Sequence, residues 1–128
     1  MTQLTIVLPV YNEKDSIEFV LKEWKDELDK QDIDYSFVIC EDGSTDGTKE
    51  LLLKLQKKYP LMLNQKQERR GYGGAVIDGI LSSRSEYILC VDSDGQCDPK
   101  DFSTFWNKKE KAHVIIGWRK RRTDPLQR

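Results

Sequence analysis

Cysteine, histidine and long apolar runs are all scarce in this chain of 128 residues. Three cysteines, Cys40, Cys90 and Cys97, make an odd count without a Cys-x-x-Cys pair. That excludes a disulfide framework and argues against a structural zinc site, so buried, reduced thiols in the cytoplasm are expected. The single histidine, His113, opens a short apolar run, where a strand-edge role is favoured over catalysis. No run of about 18 apolar residues occurs, so no transmembrane helix is expected. Met1-Thr2-Gln3-Leu4 has neither the basic stretch nor the apolar segment of a secretory signal. Internal repeats and low-complexity linkers are missing as well. What remains is a globular balance, 38% hydrophobic and 34% charged, in a length that buries roughly two-thirds of its unfolded surface.

The net charge of -1 conceals an asymmetry. From Lys108 onward eight basic residues face two acids, a balance of +6, whereas the rest holds thirteen basic and twenty acidic residues, a balance of -7. A basic end on an acidic body points to an anionic ligand or surface near that end. A solvated tail is the plain alternative.

Along the chain, short β-rich runs alternate with helical patterns. Leu4 to Leu8 is a buried-strand run stopped by Pro9, and Ile17, Val20, Leu21, Trp24 and Leu28 follow at helical spacing. Asp15 with Glu18 resembles a capping pair for that helix. Tyr35 to Cys40 is a second strand, and Leu52, Leu55 and Tyr59 mark a second helix ending at Pro60. Leu61 to Leu63 is short enough for a third strand. Gly71-Tyr72-Gly73-Gly74 opens a helix carrying Ile77, Ile80 and Leu81, and Tyr87 to Val91 is the clearest strand after the first. Asp98 and Pro99 start a helix with Phe102, Phe105 and Trp106 on one side. His113 to Ile116 reads as a final strand.

Strands that are nearly continuous in apolar residues and alternate with helices imply a parallel sheet covered on both faces. In such sheets ligands bind beyond the carboxyl ends of the strands. The unusual polar residues fall in those places: Tyr11, Asn12 and Glu13, then Asp42, then Asp92, Ser93 and Asp94, and finally Arg119. Chain order scatters them, and the fold would gather them along one rim.

Asp92 and Asp94 end an apolar strand with one small residue between them. Carboxylates this close repel each other, which protonation or a bound cation relieves. Oxygen ligands favour a hard ion such as Mg²⁺ or Mn²⁺. An EF-hand loop fits poorly, because Gly95 is the fourth rather than the sixth position and Ser103 stands at the twelfth. Asp46 suits a helix cap, while Asp42 is placed to accept bonds from a ribose or a base N–H. The glycine-rich turn is not a dinucleotide fingerprint, since Val76 replaces the last glycine. Close packing at a helix start explains it better, with Arg69 or Arg70 near enough to meet phosphate.

Five pieces together resemble the family 2 glycosyltransferases. They are Ile6-Val7-Leu8-Pro9-Val10-Tyr11-Asn12-Glu13, Glu41-Asp42-Gly43-Ser44-Thr45-Asp46-Gly47-Thr48, Gly71-Tyr72-Gly73-Gly74-Ala75, Val91-Asp92-Ser93-Asp94-Gly95-Gln96 and Ile116-Gly117-Trp118-Arg119. Gln96 and the run from Gly117 to Arg122 look most like the branch that glycosylates polyprenyl phosphates, such as dolichyl-phosphate mannosyltransferases. The resemblance implies an α/β, Rossmann-like GT-A domain with a mostly parallel sheet flanked by helices on both faces. A nucleotide-sugar-binding core over residues 1–118 would lead into a basic stretch, 119–128, of an acceptor- or membrane-proximal region continuing beyond the chain.

By position, the resemblance assigns Pro9, Tyr11 and Glu13 to the nucleoside pocket and Asp42 to the base. Asp92 would contact ribose and diphosphate, Asp94 would be the principal metal ligand, and Gln96 would assist. Arg119 would meet phosphate charge, although Trp118 stands where the family's usual neighbour is small. Asp92, Asp94 and Arg119 thereby become the catalytic candidates. The implied reaction is inverting sugar transfer from a UDP- or GDP-linked sugar, with Mg²⁺ or Mn²⁺, to a polyprenyl phosphate at the cytoplasmic membrane face. Nucleic acid is not an implied partner, and an unfinished sheet edge could pair with a second copy. No convincing general base is present, which suits an acceptor that is already anionic. A nucleotide-sugar-binding module without turnover is the alternative. A receiver-like signalling domain is a remote one, since it wants an acidic pair after the first strand and a lysine where Arg119 stands.

Overall fold

The computed structural model describes residues 2–95 and 97–117. Expectations that fall on Gln96, Trp118, Arg119 and the rest of the basic stretch lie outside the described residues. The elements run β1 (Leu4–Val10), α1 (Ile17–Lys30), β2 (Tyr35–Asp42), α2 (Thr48–Leu55), β3 (Leu61–Lys66), α3 (Gly71–Ser82), β4 (Tyr87–Cys90), a 3₁₀ turn (Pro99–Asp101) and α4 (Phe102–Trp106). The strands form one sheet in the order β3-β2-β1-β4, and every pair in it is parallel. The chain moves outward from β1 through β2 to β3, then returns to place β4 on the other side of β1. That reversal is a topological switch point, and it opens a crevice between the carboxyl ends of β1 and β4.

The two faces of the sheet are covered unequally. On one, Leu4, Ile6, Leu8, Phe37 and Ile39 meet Ile17, Val20, Leu21, Trp24 and Leu28 of α1 and Leu52 and Leu55 of α2 in the main core. Phe102 closes this layer, edge-on to Trp24 with centroids 6.0 Å apart. On the other face only Val7, Val38, Cys40 and Ala75 form a buried cluster. Here α3 lies close because Gly79 has no side chain: a Cβ there would come within 2.4 Å of Val7 Cγ1. Ala75 and Gly79 point inward, so the apolar Ile77, Ile80 and Leu81 face outward. The thin cover also leaves the Cys90 thiol exposed, contrary to the buried thiol expected there.

Several local expectations are corrected. Pro9 does not stop the first strand, which runs on to Val10. Pairing with β4 ends at Val7 and Cys90. The missing N–H of Pro9 is on the side of its carbonyl, toward the segment after β4, where no ladder bond is lost. The first helix starts at Ile17 without an Asp15–Glu18 cap. Instead the Ser16 and Ile17 N–H groups both donate to the Glu13 carbonyl, at 3.2 and 3.0 Å. β2 and β3 extend to Asp42 and Lys66, beyond the expected Cys40 and Leu63. Residues 113–116 form no strand, and Val114 and Ile116 are exposed. Asp98 and Pro99 do open a helical turn, with the Asp98 carboxylate accepting the Lys100 N–H at 3.0 Å.

Candidate functional site

The rim begins where β1 and β2 end side by side. Asn12 adopts a left-handed φ of 52°, a conformation that asparagine tolerates better than most residues. In that pose its N–H donates to Ser44 Oγ at 2.9 Å and its side-chain oxygen accepts the Thr45 N–H at 2.8 Å. The Glu13 N–H donates to Thr48 Oγ1 at 3.1 Å. Asp46 accepts the Thr48 N–H at 3.0 Å and the Thr48 hydroxyl. It therefore satisfies a first-turn donor of α2 although Gly47 holds the cap position. Depressed below the usual carboxylate range, Asp46 owes the shift first to the Thr48 hydroxyl.

Asp42 is the buried centre of the rim, and it sits in a network that the sequence did not reveal. Its Oδ1 accepts both the Arg70 N–H (2.8 Å) and Arg70 Nε (3.0 Å), and its Oδ2 accepts the Gly71 N–H (3.1 Å). Burial alone would raise this acid, but the hydrogen bonds from Arg70 and Gly71 hold it below the usual range. Arg70 Nη1 donates to Asn64 Oδ1 and Asp78 Oδ2, and Nη2 to the Glu41 and Asn64 carbonyls. With Nε on Asp42, all five guanidinium N–H bonds have acceptors. Arg70 is thus a buried tie between β2, β3 and α3, not the phosphate contact considered from sequence. Gly43 lets β3 approach, because a Cβ there would lie 2.8 Å from the Gln67 carbonyl oxygen. Arg69 instead turns into the crevice, with its guanidinium 3.7 Å above the Tyr11 ring centroid and Nε 3.6 Å from Asp42 Oδ2.

Across the switch point lies the β4 side. Ser93 is buried, and its hydroxyl donates to the Pro9 carbonyl at 3.0 Å. Ser16 Oγ lies 3.1 Å from the Ser93 carbonyl and 2.9 Å from Glu13 Oε2, and its one proton serves either acceptor. Asp92 accepts the Tyr72 hydroxyl at 2.9 Å. Partial burial and then this carboxylate push the Tyr72 phenol up to about 12. Asp94 is exposed at the mouth. Among the described residues no three His, Cys, Asp or Glu side chains are grouped to hold a metal. The two carboxylates on this edge nevertheless suit a hard cation whose remaining positions are filled by phosphate and water oxygens.

Pro9, Tyr11, Glu13, Asp42, Asp92 and Asp94 all line one cleft of about 290 Å³, together with Arg69, Gly71 and Tyr72. A larger cavity of about 720 Å³ lies beside β4 and α4, lined by Leu4, Tyr87, Leu89, Phe102, Phe105 and Trp106 among others. Glu86, Lys109, Glu110, Lys111 and His113 also line it, but it lies away from the carboxyl ends of β1 and β2, where ligands of such sheets bind, so position rather than size selects the smaller cleft. Among the described residues no helix is long and apolar enough to cross a membrane. Tyr11, Glu13, Asp42, Asp92 and Asp94, expected along one rim, do line one cleft, as does Pro9, which the resemblance added. The ties made by Asn12 and Ser93 and the lining by Tyr72 were not foreseen, whereas Arg69 was considered beside the glycine-rich turn.

Comparison with known proteins bears on the family and the fold. The chain is 37% identical over 108 residues to a dolichyl-phosphate beta-glucosyltransferase of Dictyostelium discoideum, covering 78% of this chain and 33% of that protein. It spans about a third of the length of the curated relatives it matches. The crystal structure of S. aureus TarS 1-349 in complex with UDP superposes with a TM-score of 0.62 at 26% identity, over 84% of this chain and 33% of that one. Mannosyltransferase PcManGT from Pyrobaculum calidifontis, in complex with GDP-Man and Mn²⁺, gives a TM-score of 0.60 at 28% identity, over 73% and 28% of the two chains. The family model for Glycosyl transferase family 2 matches residues 5–128. The chain belongs to glycosyl transferase family 2.

Proposed function

We propose that this chain is the nucleotide-sugar-binding part of an inverting glycosyltransferase that uses a UDP- or GDP-linked donor and a polyprenyl phosphate acceptor. The observation that carries the reading is the single cleft in which Tyr11, Glu13 and Asp42 face Asp92 and Asp94 across the switch point. Support comes from the neighbours, one bound to UDP and one to GDP-Man with Mn²⁺, and from a relative that is a dolichyl-phosphate beta-glucosyltransferase.

In this reading the nucleoside lies along Pro9, Tyr11 and Glu13, with Asp42 toward the base edge and Asp92 toward ribose and diphosphate. Asp94, Asp92 and Gln96 would hold Mg²⁺ or Mn²⁺, which supplies positive charge to stabilise the departing diphosphate. The bond between the anomeric carbon and the diphosphate oxygen breaks, and its electron pair leaves with the nucleoside diphosphate. An acceptor phosphate oxygen forms the new bond from the opposite face, inverting the carbon. Being anionic, that oxygen needs no general base. Arg119 is assigned to phosphate charge, at the start of a basic stretch, 119–128, that follows a core of residues 1–118. The site of action is the cytoplasmic membrane face.

Isothermal titration with UDP, GDP and their sugars, with and without Mn²⁺, tests this. Metal-dependent binding that Asp94→Ala weakens at least tenfold is the expected result. Binding that is absent, or indifferent to both Mn²⁺ and Asp94→Ala, would sink the proposal. Binding by this chain without transfer to a polyprenyl phosphate would assign it to donor binding alone.

A further inference from the structure

Two consecutive arginines meet the same carboxylate, and they are held in opposite ways. Arg70 has 12% of its side chain exposed and spends all five guanidinium N–H bonds inside the fold. Arg69 is 54% exposed against an Asp42 side chain that is 4% exposed. Among the described residues its charged group meets the Tyr11 ring and one oxygen of Asp42. An exposed cation–π contact is worth only about 0.5–1 kcal/mol, and an ion pair at that distance adds little. Arg70 is fixed, and Arg69 is releasable.

We propose that Arg69 is a displaceable plug of the nucleoside subsite, its guanidinium standing where a nucleobase would lie. The group is flat and delocalised, it stacks on Tyr11, and its Nε stands 3.6 Å from Asp42 Oδ2, which accepts the Gly71 N–H. A base that displaces it must supply the same two features. Uracil and guanine do so, each offering a ring N–H to the carboxylate. Cytosine and adenine present a ring-nitrogen lone pair at the corresponding edge, which a carboxylate repels. The cost of moving Arg69 aside is the same for every base, so the plug lowers nucleoside affinity while the choice among bases stays with Asp42. This inference rests on the nucleoside-diphosphate reading of the cleft.

The test uses uridine and guanosine, which lack phosphate, so that losing a positive charge near the diphosphate does not confuse the result. In NMR titrations Arg69→Ala should bind its preferred nucleoside about fivefold more tightly than wild type, the factor that corresponds to ~1 kcal/mol of displaced contact. Arg69→Lys should gain less than Arg69→Ala, because an ammonium cannot stack flat but still pairs with Asp42. Equal, weaker or undetectable nucleoside binding by Arg69→Ala would overturn the plug while wild-type binding of UDP or GDP kept the donor reading intact. If neither protein binds UDP or GDP, the donor reading fails and takes the plug with it.

Discussion

The β1–β2 side of the rim is laced by side-chain hydrogen bonds, whereas on the β4 side Ser93, Ser16 and the Tyr72–Asp92 bond are among the ties. Asn12, Glu13 and Asp46 tie the first two loops together, and Asp42 with Arg70 and Gly71 ties them to α3. Opposite them, Ser93 reaches back to Pro9 and Ser16 reaches to Ser93, while Asp94 sits exposed at the mouth. Under the proposed function this difference has a use: a rigid wall suits a flat base bound the same way each time, and a bound cation would relieve the repulsion between Asp92 and Asp94.

The largest effect should come from Asp42→Ala. It removes the acceptor of three N–H groups and leaves the Arg70 guanidinium largely buried without one of its partners. Losing one partner of a buried pair costs about 3 kcal/mol, measurable by urea denaturation. The same tie can be cut by acid. Because the folded Asp42 carboxyl is held below its unfolded value, its stabilisation is complete above about pH 5 and disappears as pH falls through the depressed folded value. Unfolding followed against pH should show this loss in wild type and less of it in Asp42→Ala.

Asn12→Ala comes next, at about 2 kcal/mol, since it loses the Thr45 acceptor and places alanine in a left-handed conformation. Asn12→Gly keeps the conformation accessible, so it should recover part of that loss and thereby separate the two contributions. On the β4 side Ser93→Ala removes the bond to Pro9 and should cost about 1 kcal/mol. Asp94→Ala should weaken metal-dependent nucleotide binding. Equal stability losses for Asp42→Ala and Ser93→Ala would erase the contrast between the two sides.

Much of this was legible in the sequence because it depends on short-range pattern. Apolar runs located the four strands, and alternation with helices implied parallel order, which brings Tyr11, Asp42 and Asp92 to one rim. What escaped depends on register and small residues. Arg70 meets Asn64 and the Glu41 carbonyl together only because β3 lies beside β2 in the observed register. The inward face of α3 is Ala75 and Gly79, so a search for bulky apolar residues selects Ile77, Ile80 and Leu81, which point outward. Pro9 looked like a strand stop, yet its missing N–H faces the side where pairing with β4 has already ended. His113 to Ile116 has strand-like composition but no strand pairing in the described sheet.

Backbone amide shifts, followed on addition of UDP or GDP, test the assignment of the cleft most directly, because they distinguish it from the larger cavity. The expected result is that Tyr11, Asp42, Gly71, Asp92 and Asp94 move together, and that Mn²⁺ broadens the amides of residues 92–95 only once nucleotide is present. Shifts centred on Tyr87, Phe102 and Trp106, around the larger cavity, would contradict it.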